Sequence, residues 1–168
     1  MLMKFLARDV AILAVAAVAW PLVSPYTGGT GALSDVTGVL LGLLLGVCAY
    51  LLHEWGHLVG ALASGSAFQL GTSLRSPSLF TYESRRNSAA QFLIMSFAGF
   101  APTIFALWAV YALFPSDLLA TRVVRGVVVF LGVLGLVLEV PLVVYTLLTR
   151  KVPPLDGTQP SQPASEAA

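Results

Sequence analysis

At 168 residues the chain has room for one domain, yet 57% of it is apolar and only 10% is charged, against about 25% charged in soluble domains. That composition excludes an ordinary water-soluble fold, and a formal net charge of +1 gives no electrostatic footprint for nucleic acid. The single cysteine, Cys48, has no partner for an intrachain disulfide and reads as a packing residue.

The apolar residues come in long blocks separated by short polar stretches, and several blocks reach the roughly 20 residues that a helix needs to cross a bilayer. The expected fold is an all-α polytopic membrane protein of about four transmembrane helices, three if the first is a cleaved signal. The first block runs from about Val10 to Val23, after Lys4 and Arg8 and before the loop formers Pro25, Gly28, Gly29 and Gly31. It is short for a span, and Ala17-Val18-Ala19 fits a small-residue cleavage site, which leaves a signal peptide open. The second block, Val36 to Ala63, carries both histidines of the chain, and Gly65 ends it. Between Ser66 and Ser88 the chain turns polar, and the alternation of Phe68, Leu70 and Leu74 with smaller or polar neighbours points to a short strand or hairpin. A third span is expected from about Ala89 to Phe114, a tight turn at Pro115-Ser116-Asp117, and a fourth span from about Ala120 to Leu148. One transmembrane domain thus covers residues 1–157, and the Pro-, Ser- and Ala-rich residues 158–168 read as a disordered tail.

Basic residues in short loops stay on the cytoplasmic side. With the N-terminus inside, one face collects Lys4, Arg8, Arg75, Arg85, Arg86, Arg150 and Lys151, whereas the other has only Arg122 and Arg125. This places the protein in a membrane, by expectation the cell membrane, with the cytoplasmic ends of the second and fourth spans on one side.

The chemistry-bearing motif is His53-Glu54-Trp55-Gly56-His57. Residues four apart in a helix project from one face about one turn apart, so His53 and His57 can share a metal ion, with Glu54 beside it as a proton acceptor. Gly56 offers close access for ion or substrate. The competing reading is a pair of hydrogen-bonded packing histidines. It leaves Glu54 unexplained, because an ionisable residue near the middle of a span costs about 2.5–3.5 kcal/mol on insertion scales. A catalytic zinc site has a third protein ligand and an open position, and two residues compete for that place. Asp156, in Pro153-Pro154-Leu155-Asp156-Gly157, lies just past the fourth span and otherwise forms an ordinary Asp-Gly turn. Glu139 lies within the fourth span two residues before Pro141, where a helix distortion presents it to the bundle interior; otherwise it pairs with Arg122 or Arg125.

HEWGH in one span and PPLDG after a later one resemble the site-2 protease family of intramembrane zinc metalloproteases, over roughly Leu40 to Gly157. The resemblance implies His53, His57 and Asp156 as zinc ligands and Glu54 as catalytic base. Ser96-Phe97-Ala98-Gly99-Phe100-Ala101-Pro102 is similar to the small-residue segment at the start of the family's intervening helix. The stretch from Ser66 to Ser88 matches the position of its membrane-associated β element, which implies substrate capture by strand addition. Leu148 stands where the family's run before LDG carries an asparagine. The expected function is therefore an intramembrane zinc metalloendopeptidase acting, from the cytoplasmic side, on transmembrane or membrane-adjacent segments of other proteins. A catalytically silent member that binds a membrane-protein partner is the alternative, and a metal transporter is the third reading.

Overall fold

The computed structural model describes residues 1–76 and 78–154; Asp156 and the expected tail lie outside them. Its helices are α1 (Leu2–Val23), α2 (Ala32–Ala63), α3 (Ala89–Ala112), α4 (Leu119–Leu138) and α5 (Val140–Thr149), with strands β1 (Phe68–Leu70) and β2 (Phe80–Tyr82) between α2 and α3. Four segments are long and apolar enough to cross a membrane: Leu2–Gly28, Ala32–Ala63, Ala89–Ala112 and Leu119–Thr149. Large apolar side chains remain open on the outside of every span, among them Val18, Leu40, Ile104 and Leu136. Such a helix bundle is stable in lipid, where backbone groups are satisfied within each helix. The chain is a multi-pass membrane protein.

The first span begins at Leu2 rather than near Val10 and continues into a 3-10 turn over Ser24–Gly28. Its length is thus no longer short for a bilayer. Pro141 accounts for the break between α4 and α5. Proline donates no N–H to the preceding turn, and α4 stops at Leu138 with Glu139 as the junction residue before α5.

Close helix approach is written in small residues, as in membrane bundles generally. A Cβ on Gly38, Gly42 or Gly46 would lie 3.0 Å from Leu119, 2.6 Å from Val123 or 2.4 Å from Val127. Three glycines spaced by four on α2 therefore receive three residues spaced by four on α4. The pairs keep a constant offset along two helices that run in the same direction. Continued by the same steps, that register brings Glu139 to the turn holding His53 and His57. Gly56 and Gly60 do the same for α3, where an added Cβ would meet the Ala98 carbonyl oxygen at 2.5 Å or the Ala98 side chain at 2.6 Å. Gly56 thus serves helix packing. Gly46→Leu should separate α2 from α4, with a cost of about 1–3 kcal/mol, because the stiff β-branched Val127 side chain that an added Cβ would meet has little freedom to move aside. The check is a lowered thermal midpoint in detergent. An unshifted midpoint would contradict the contact.

β1 and β2 form an antiparallel hairpin with Phe68 opposite Tyr82 and Leu70 opposite Phe80, in the stretch where alternation points to strands. Asn87 closes its base, accepting from the Ala67 N–H at 2.7 Å and donating to the Ala67 and Glu83 carbonyls. Gln69 donates to Glu83 at 3.0 Å, and this bond, with Arg86 beyond it, holds the Glu83 carboxyl below its ordinary range. At the start of α3, Ser88 and Gln91 form a capping box, and the Gln91 amide also donates to the Ser64 and Gly65 carbonyls. One side chain thus joins the end of α2 to the beginning of α3.

The hairpin, the N-terminal end of α1 and the end of α5 share one end of the bundle, which carries the seven-residue basic set. The opposite end holds the 3-10 turn, where Gly28 approaches Leu118, together with Arg122 and Arg125. Arg125 donates to the Val110 and Phe114 carbonyls, both at 3.0 Å. It closes the last turn of α3, where cations are favoured, instead of pairing with Glu139.

Candidate metal centre

His53 and His57 lie toward the hairpin end of α2, at a rise of 1.5 Å per residue about 15 Å and 9 Å from Ala63. Both imidazoles turn toward α3. The His53 Nδ1 lies 3.0 Å from the Gly99 carbonyl oxygen and 2.9 Å from the Thr103 hydroxyl. The His57 Nδ1 lies 3.1 Å from the Met95 carbonyl oxygen. A carbonyl only accepts, so each ring donates from Nδ1 and keeps its Nε2 electron pair free. Gly99 is required for this seating: a Cβ there would fall 2.2 Å from the His57 ring.

The free nitrogens converge. His53 Nε2 and His57 Nε2 are 3.1 Å apart, and Glu139 meets them with one oxygen each, Oε1 at 3.1 Å from His53 Nε2 and Oε2 at 3.2 Å from His57 Nε2. The Glu139 Oε2 contact lacks hydrogen-bond geometry, and this buried oxygen has no other partner among the described residues. With both rings neutral, two imidazole electron pairs and a carboxylate meet at one point, and either a metal ion or a shared proton between them relieves the repulsion. A tetrahedral zinc ion with bonds of about 2.0–2.1 Å sets its ligand atoms about 3.3 Å apart, close to the separations found. His53, His57 and Glu139 therefore fit a metal ion in number, donor type and spacing. The hydrogen bonds from Nδ1 to Gly99, Thr103 and Met95 are the outer contacts that orient histidine ligands.

Glu54 stands outside this group. Its Oε2 accepts from the Leu79 N–H at 3.2 Å, so the hairpin orients the carboxylate. Glu54 and Glu139 together line two cavities of about 180 and 200 Å³, one bounded by Tyr50, His53 and Thr103, the other by His57, Tyr82 and Ser96. A third cavity, about 530 Å³ and almost wholly apolar, runs between α3 and α4 and ends on His53. His53 thus stands where a cavity that holds both carboxylates meets a larger apolar one.

Of the expected residues, the fold brings together His53, His57 and Glu139, with Glu54 adjacent. Asp156 lies outside the described residues. Before it, Arg150 adopts a left-handed conformation with φ of 60°, and Val152 packs against the cluster formed by Tyr82, Phe92 and Met95. That cluster forms part of the wall of the His57 cavity. Sequence reasoning passes over Thr103, the Met95 carbonyl and the Leu79 N–H. Backbone groups carry no residue signature, and a threonine in an apolar helix is unremarkable.

The fold and site define a multi-pass membrane protein with an intramembrane His-His-Glu group suited to a metal ion. No family model, curated protein or solved structure matches this chain. The resemblance to site-2 proteases therefore rests on the HEWGH and PPLDG segments themselves.

Proposed function

We propose that the chain is an intramembrane zinc metalloendopeptidase that hydrolyses peptide bonds in transmembrane or membrane-adjacent segments of other proteins. The observation that supports this reading is the convergence of His53 Nε2, His57 Nε2 and the Glu139 carboxylate, with a second carboxylate, Glu54, on the same cavities. His53 and His57 would hold the ion with one carboxylate, Glu139 or Asp156, and two imidazoles plus a carboxylate is a donor set used by catalytic zinc. When bound, zinc supplies a hydroxide nucleophile near neutral pH and polarises the scissile carbonyl.

The chain's own residues do the rest. Glu54, held by the Leu79 N–H, accepts the proton of the attacking water and returns it to the leaving amine. The apolar cavity beside His53 admits the side chains of a membrane segment. Such a segment hides its amides in helical hydrogen bonds and must unwind before a carbonyl is accessible. The hairpin edge beside the His57 cavity offers main-chain partners to the unwound stretch. With the basic end of the bundle on the cytoplasmic side, the site is approached from the cytoplasm.

The test is direct. Protein in lipid nanodiscs should carry about one zinc ion per chain and cut a reporter containing a transmembrane segment, with loss on chelation by phenanthroline and recovery on adding zinc. Cleavage that survives complete metal removal would sink the reading. Retention of the reporter without any cleavage would instead favour a silent binding protein.

A further inference from the structure

An ion pair between buried Asp9 and half-buried Arg8 lies outside the metal group. Asp9 in α1 is 1% exposed, and both its oxygens are engaged: Oδ1 accepts from Arg8 Nε at 2.6 Å, and Oδ2 accepts from the Trp55 indole N–H at 2.8 Å. Arg8 also donates from its guanidinium to the Leu74 carbonyl in the hairpin loop. Three elements therefore meet in one polar cluster: α1, the HEWGH turn of α2, and the loop between β1 and β2.

Packing alone does not call for these charges. A buried ion pair is often replaceable by apolar residues without loss of stability, and charged groups within membrane spans are costly. Their partners indicate what they do. A hairpin with strands of three residues is marginal by itself, so its position depends on what it rests upon. Phe5, Leu58 and Leu79 form a buried cluster beneath it with Trp55, Phe68, Leu70 and Phe80 around them, and a Cβ on Gly71 would already lie 3.2 Å from the Phe5 ring. Apolar contact of this kind is non-directional. The Arg8 bond to Leu74 and the Asp9 bond to Trp55 set the register, and Leu79, which holds Glu54, follows Leu74 in the same loop.

We infer that Arg8 and Asp9 are positioning residues for Glu54: they fix the hairpin loop to α1 and Trp55, and so keep the Leu79 N–H on the Glu54 carboxylate. The inference rests on the reading of Glu54 as proton acceptor, and it makes the first helix a working part of the site. Neither residue touches the metal group, so metal content should not depend on them.

The experiment uses the full chain in nanodiscs and follows hydrogen–deuterium exchange over residues 71–82 and 40–52, metal content, and cleavage of the transmembrane reporter. Arg8→Met and the isosteric Asp9→Asn should speed exchange at the Leu79 amide about tenfold or more, with residues 40–52 unchanged. Turnover should fall about tenfold with KM and zinc content unchanged, as for a misplaced catalytic group. Arg8→Lys, which keeps a donor within reach of Leu74, should restore both, whereas a general loss of packing would not be rescued in this way. Exchange at the wild-type rate in both variants overturns the inference. So does acceleration spread equally over residues 40–52, or an intact mass showing that the working protein lacks residues 8 and 9. If wild-type protein neither holds metal nor cleaves, the protease reading fails, while the exchange rates still decide whether Arg8 and Asp9 hold the Leu79 contact.

Discussion

Glu54→Gln should leave the metal in place and lower reporter cleavage by about 10²- to 10⁴-fold, the usual worth of a general base. The substitution is close to isosteric, and the new amide oxygen can still accept from the Leu79 N–H that Glu54 now engages at 3.2 Å. What it loses is the capacity to take a proton. Glu54 is not part of the His53–His57–Glu139 group, so zinc analysis of the variant should match wild type. These two readouts separate the rival functions. A silent binding protein keeps both metal and partner when Glu54 is changed, and has no turnover to lose. Undiminished cleavage by Glu54→Gln would remove Glu54 from the mechanism.

Much of this architecture is legible in the amino-acid sequence because a bilayer imposes a length on apolar blocks. The second, third and fourth spans fall within a few residues of their expected limits. The first differs because Lys4 and Arg8 look like a polar lead-in, yet Asp9 beside them is buried against Arg8 and Trp55, so α1 starts before the charges end. The hairpin shows itself in the alternation around Phe68 and Leu70, and the α4–α5 break in Pro141. The histidine pair is equally plain, since a spacing of four in a helix fixes one face.

The carboxylate that joins the histidines is a different matter. Both Glu139 and Asp156 fit the local chemistry, and choosing between them needs the register of α2 against α4. That register has a signature, Gly38, Gly42 and Gly46 set against Leu119, Val123 and Val127, but it is read only when the two stripes are known to face each other. The Asp9–Trp55 contact has a fainter signal still, an acid beside a base at the edge of an apolar run.

Glu139→Ala should strip the site of metal, with affinity lowered more than about 100-fold, because even outer-contact changes around metal ligands cost 10- to 100-fold. Glu139 faces His53 Nε2 at 3.1 Å and His57 Nε2 at 3.2 Å, and alanine leaves two imidazoles with no charge to balance a dication. Asp156→Ala, measured beside it, should retain the metal. The reverse pattern, with metal lost from Asp156→Ala and kept in Glu139→Ala, would give the third place to Asp156 and leave Glu139 as a hydrogen-bond acceptor for the histidines. Loss in both variants would mean that two histidines and two carboxylates surround the ion. Four protein ligands close a tetrahedral zinc and leave no open position for water. A closed site of that kind is structural, and a wild-type chain that held its zinc in this way would bind membrane segments without cutting them. Zinc content and turnover measured on the same three proteins therefore decide the ligand and, with it, whether the centre has room for chemistry.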